Sequence, residues 1–220
     1  MTAPALPSAP AASPAPRANR TVLVALAGVV VGALLVGVPW LVIGLSGPGV
    51  SGMTLKAPDT IGGLSRYQDA LAKRGGDKTK SLVDGENADE VKNAERLSSA
   101  YHGAGAVSQR YADAELEEIV LLQAVRADSP EPFVPYVDAA RLGLAAPQQD
   151  LERVGDVVCV IYNQPTRAGE KPAEDAKGVM SCQRSGGGLT VQIVVGSSGK
   201  LRHDAGAVAA LIGQAWPKLS

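Results

Sequence analysis

The chain has 220 residues, room for one ordinary domain plus extensions, and a formal net charge of −1. No block of Lys and Arg stands out, and nucleic-acid binding requires phosphate neutralisation by clustered cations, so nucleic acid is not an expected partner. Aromatic residues make up 4% with a single Phe, so a core must be built from Val, Leu, Ile and Ala, with few stacking platforms for bases or sugars.

Residues 1–20 are nearly all Ala, Pro and Ser, the composition of a disordered Pro-rich tail. From Val22 to Leu45 no charged residue occurs over about 24 positions. A helix of that length reaches about 36 Å, enough to cross a hydrocarbon core of about 30 Å with some tilt. A cleaved signal peptide has a shorter apolar region of about 7–15 residues and a small-residue cleavage site. Residues 21–45 are therefore expected to be an uncleaved transmembrane helix whose partner is the lipid bilayer. Arg17 and Arg20 precede the span, whereas the first charges beyond it are Lys56 and Asp59. The positive flank is N-terminal, which predicts a cytoplasmic tail and an extracytoplasmic C-terminal domain. Trp40 suits the outer interface, and Pro39 is tolerated near a helix end. Gly28 and Gly32 have the GxxxG spacing of a helix-pairing face, although Gly is common in membrane helices anyway.

Ser46-Gly47-Pro48-Gly49 breaks the helix and begins a linker and lead-in running to residue 86, within which Leu64 to Lys73 reads as a short helix stopped at Gly75-Gly76. Asn87 with Glu90 three positions on has the form of a capping box. Val91, Ala94, Leu97 and Tyr101 recur at near-helical spacing, which predicts a helix over 88–101 closed by Gly103. Val107 to Tyr111 is a first strand, and the apolar run from Ile119 to Val125 suits a strand buried on both faces. Phe133 to Leu142 reads as a short helix. Val157 to Tyr162 and Val179 to Cys182 read as strands separated by a polar loop, and Gly186-Gly187-Gly188 makes a turn. Leu189, Val191, Ile193 and Val195 alternate with polar residues, the period-2 signature of a strand with one buried face. Asp204 is a predicted N-cap. Val208, Leu211, Ile212, Ala215 and Trp216 lie on one face of a helix that Pro217 is expected to end. The sum is an α+β fold: an N-terminal transmembrane helix, then a small domain over residues 87–220 with an antiparallel sheet and packed helices.

Cys159 and Cys182 fall in consecutive predicted strands, which usually pair as neighbours. In an oxidising compartment two such thiols form a disulfide, and a closed loop of this size adds about 3 kcal/mol in the loop-entropy picture. CxxC spacing is absent and no nearby His completes a zinc set, so a structural bridge is expected rather than a metal or redox site. His102 and His203 are the two histidines, and no GxSxG turn accompanies them. Asp113, Glu115, Glu117 and Glu118 read as a solvated turn between strands, without the ligand pattern of a calcium loop. The glycine triplet leads into a strand, whereas a phosphate cradle needs a helix N-terminus. Arg184 and Arg202 stand as lone charges. No catalytic residue, cofactor or metal ligand is expected.

The Pro/Ala tail, the single span and the lead-in Pro58-Asp59-Thr60-Ile61-Gly62-Gly63-Leu64 resemble small membrane-anchored proteins of actinomycetes with a two-cysteine extracytoplasmic domain. Gly155-Asp156-Val157-Val158-Cys159, Ser181-Cys182-Gln183-Arg184 and Leu189-Thr190-Val191 are similar to that group too. The resemblance implies architecture and compartment and carries no activity. The expected function is a non-enzymatic binding or structural module at the cell envelope. A sensory or regulatory protein signalling through its tail is the second class, and an envelope enzyme the third.

Overall fold

The computed structural model describes residues 55–75, 79–196 and 198–220. The expected tail, transmembrane helix and Gly28/Gly32 face lie outside these residues. Among the described residues no helix is long and apolar enough to cross a membrane. What they form is an α+β fold built on one eight-stranded antiparallel sheet.

In chain order the elements are β1 (Thr60–Ile61), β2 (Leu64–Arg66), α1 (Tyr67–Gly75), α2 (Lys80–Ala100), β3 (Ala106–Ala112), β4 (Ile119–Val125), β5 (Gln149–Val154), β6 (Val157–Asn163), β7 (Lys177–Gly186), β8 (Leu189–Val195) and α3 (Ala205–Leu219). The strand order is β1-β2-β3-β4-β8-β7-β6-β5, two antiparallel runs joined edge to edge at β4 and β8. At that seam Val120, Leu122 and Ala124 lie opposite Val195, Ile193 and Val191, and all six are buried. Because strand side chains alternate, the intervening positions occupy the other face. There Gln123 faces Gln192, which in turn faces Gln183, a polar row across three strands.

The apolar face is covered by α3. Asp204 caps it as the sequence predicts, its Oδ1 accepting from Ala207 N–H at 2.8 Å. Val208, Leu211, Ile212, Ala215 and Leu219 join the core beneath it. Each fully buried Val, Leu or Ile side chain contributes about 1.5–3 kcal/mol, so this one helix anchors much of the fold. It also holds the first hairpin. Gly62 and Gly63 turn β1 into β2 at positive φ (55° and 84°), and a Cβ on Gly62 would meet Leu211 Cδ2 at 2.0 Å. The Gly62 N–H donates to Gln214 Oε1 at 2.8 Å, and Lys218 Nζ donates to the Thr60 carbonyl at 3.1 Å. At the other hairpin, Gly187 and Gly188 (φ 61° and 77°) join β7 to β8, the turn expected for the glycine triplet.

Several expectations change. The residues assigned to a linker as far as 86 contain β1, β2 and α1, so the fold begins well before residue 87. The helix expected over 88–101 starts at Lys80, and Asn87 is inside it rather than at a cap. Its early turns hold because Val83 and Glu86 share the face that carries Glu90, and Glu86 pairs with Arg110. Phe133 to Leu142 is not a helix beyond a 3-10 turn at Ala140–Leu142, and Phe133 and Tyr136 are 83% and 90% exposed. Pro135 explains it: the residue before a proline is pushed out of the helical region, and proline lacks the N–H a helix interior needs. Pro217 does not end α3, which continues to Leu219 because that side chain docks into the core. The strand β5 was not foreseen, since only Leu151 and Val154 are apolar in it. It is an edge strand, where polar residues guard against further pairing. The strand β4 is fully buried on the α3 side, whereas on the other face Leu121 and Gln123 are half-buried and only Val125 at its end is buried.

Candidate functional site

Cys159 and Cys182 are register partners on β6 and β7, with Cα atoms 3.9 Å apart, and form a disulfide. Both are fully buried on the α3 face, where they staple the two strands. The two histidines sit on separate exposed turns. His203 Nδ1 lies 2.8 Å from the Lys177 carbonyl, and His102 follows α2 in a left-handed conformation, φ 56°. In the acidic cluster, Asp113 Oδ1 accepts from the N–H groups of Glu117 (2.8 Å) and Glu118 (3.2 Å) and closes the β3–β4 turn. The Glu118 carboxylate in turn accepts from Lys200 and Leu201 N–H, tying that turn to the segment before α3. These carboxylates hold loops together. Among the described residues no group of three His, Cys, Asp or Glu side chains is placed to hold a metal ion.

What the sequence reading did not foresee is a cleft of about 620 Å³ at one end of the sheet. The antiparallel order brings the end of β4, the β5–β6 and β7–β8 hairpins and the last turn of α3 to this end. Arg126, Arg153 and Arg184 line it, with Glu131, Asp156, the backbone of Gly186 and Gly187, Leu189, Trp216 and Ser220. Arg184, on the strand face beneath α3, places its guanidinium 4.2 Å from the Trp216 ring centroid and donates to Asp156 at 3.2 Å. A cation over an indole face is attracted by the ring quadrupole, which helps hold the guanidinium at this place. Arg153 pairs with Glu131 at 2.8 Å. Arg126 has no carboxylate partner, and its Nε is buried without an acceptor. Sequence reasoning treated Arg184 as a lone charge because 58 positions separate it from Arg126. A usable signal exists only for Arg126, which directly follows the apolar run of β4.

A second, more open groove of about 840 Å³ runs between α2 and β3. The pairing of β2 with β3 stops at Arg66 opposite Tyr111, which leaves the outer edge of β3 to α2. Glu90 Oε1 accepts from the Arg110 N–H at 2.9 Å and from Gln109 Nε2 at 2.8 Å, and Oε2 accepts from Gln68 Nε2 at 3.3 Å. Gln109 Nε2 also reaches Gln68 Oε1 at 3.0 Å. Burial pushes the Glu90 carboxyl up, opposed by the Arg110 N–H and reinforced by Glu86. Arg110 itself pairs with Glu86 and lies 5.4 Å from the Tyr67 ring centroid. The network explains α2: the helix is fastened to a strand edge by side-chain acceptors. Its polar bonds are spent on holding the fold, which makes the arginine cleft, with its unpaired cation, the better ligand site.

Comparison of the chain with protein-family models, with curated proteins and with solved structures returned no match. The site is therefore read from its own chemistry.

Proposed function

We propose that the chain is a single-pass membrane protein, anchored in the bilayer through residues 21–45, whose α+β domain is a non-catalytic ligand-binding module outside the cytoplasm. The observation that carries this reading is the arginine cleft. Its volume of about 620 Å³ falls in the range of small-molecule sites, about 300–1,000 Å³, and several polar groups converge in it. Four separate parts of the chain supply the lining, so the cleft exists only in the folded domain. The buried Cys159–Cys182 bridge supports the compartment, because structural disulfides persist in oxidising environments. The Arg17/Arg20 flank supports the orientation.

The test uses the full chain from native membranes, with thiols blocked before lysis. Trypsin cutting after Arg153, Arg167, Lys177 and Arg184 leaves the two cysteines on separate peptides. A linked species that vanishes on reduction is expected, and two blocked-thiol peptides would overturn the outside placement. Native mass spectrometry of the same material is expected to show a small molecule that is lost in Trp216→Ala. A cleft empty in both proteins would count against the binding role.

A further inference from the structure

We infer that the cleft holds its ligand by an oxyanion, a carboxylate or a phosphate, received by Arg126 and Arg184 beside Trp216; this rests on the binding reading above. The first ground is Arg126. Buried polar groups in folded proteins are nearly always paired, yet among the described residues its Nε is buried with no acceptor and its guanidinium makes no ion pair. Arg126 also lines the cleft, so its unpaired guanidinium is a cation that an entering oxyanion can meet. The second ground is Arg184. Its guanidinium lies over the Trp216 ring, 4.2 Å from the centroid, and its one side-chain hydrogen bond is Nη2 to Asp156, which leaves further N–H donors for two-point recognition of a carboxylate or phosphate.

The third ground is the kind of acid already present. Asp156 and Glu131, the partners of Arg184 and Arg153, are 78% and 63% exposed at their side chains. Ion pairs this open to water are weak and screened, so either carboxylate can swing away as a ligand oxyanion enters. Their carboxylates are the same kind of group that the ligand would bring. Of the three guanidiniums that line the cleft, Arg126 is the one that no side-chain carboxylate pairs. Ser220 also lines the cleft and makes no ion pair to these arginines. Cleft size and an aromatic wall point to a small organic anion rather than to a polymer.

The experiment uses the full chain in detergent carrying Trp40→Phe, which leaves Trp216 as the only indole. Inorganic phosphate and succinate are titrated separately at constant ionic strength, with chloride as the reference. A saturable change in Trp216 emission is expected with at least one of the two, and the responding anion tells phosphate from carboxylate. Binding is expected to weaken by about tenfold or more in Arg126→Gln, the loss of one charge-assisted hydrogen bond. Arg202→Gln, outside the cleft, should leave it unchanged. Because Arg126 makes no ion pair, that variant is expected to fold normally, and its unfolding midpoint serves as the check. No saturable response, a response that chloride matches, or unchanged affinity in Arg126→Gln overturns the oxyanion assignment. If native mass spectrometry then finds a neutral molecule in the cleft, the binding reading survives without the anion. A cleft with no molecule and no response removes both.

Discussion

The two long helices are attached to the same sheet by opposite means. The fifteen residues of α3 include seven that are buried, and its apolar face closes the core. The 21 residues of α2 include none that is buried, and Leu82 and Val91 are exposed on it. It is held through Glu90, Gln68, Gln109 and the Glu86–Arg110 pair at the open edge of β3. Hydrophobic burial is non-directional and scales with area, so α3 is fixed by how much it covers. A hydrogen-bonded attachment is directional and nets little per bond, about 0.5–1.5 kcal/mol. It specifies where α2 sits more than how firmly.

The contrast can be broken by single substitutions, each followed by urea unfolding of the full chain in detergent. Ile212→Ala empties a fully buried site under α3 and should cost about 2–5 kcal/mol, whereas Val91→Ala on α2 should stay within about 0.5 kcal/mol. Comparable losses at the two sites would mean that α2 is packed as tightly as α3. Replacing Cys159 and Cys182 together by Ala should cost about 3 kcal/mol. Its effect should reach α3, since both sulfurs lie in the core that α3 covers, and hydrogen exchange in α2 should change less. Asp204→Ala removes the N-cap of α3 and should cost about 1 kcal/mol, read as a lower midpoint with an unchanged slope.

The smallest effect concerns Glu90 and is a matter of pH. A carboxyl whose pKa is raised in the fold binds its proton more tightly there than in the unfolded chain. Its contribution therefore falls as pH climbs from 4.5, the unperturbed value, through the raised folded value, and is most favourable below that window. Glu90→Gln keeps an acceptor for the Arg110 N–H and carries no charge. The midpoint of that variant should decline less over the window than the parent's. Parallel curves would show that the Glu90 charge carries no desolvation cost.

The parts of the fold that were legible in the sequence are those where local chemistry and burial agree. Leu189 to Val195 alternates because one face of β8 is buried, Asp204 caps because a carboxylate meets free N–H groups, and Gly187-Gly188 turns because both residues need positive φ. The cysteine pairing was legible for a similar reason, since consecutive apolar strands pair as neighbours. Glu90 shows where that logic stops. Its spacing from Asn87 imitates a capping box, but its carboxylate is directed to a strand edge some twenty residues on. Pro217 shows it too, because the docking of Leu219 outweighs one missing N–H near a helix end.

By itself, then, the sequence determined the α+β class, the apolar faces, the turns, the two-cysteine staple and the long apolar run that proposes a membrane anchor. All of these are set by residues near one another or by a simple period. Only the tertiary structure decided the strand order, the attachment of α2 and the meeting of Arg126, Arg153, Arg184 and Trp216. Those depend on which strand lies beside which. An edge strand as polar as β5, or a cleft drawn from four distant segments, leaves no periodic mark in the chain that builds it.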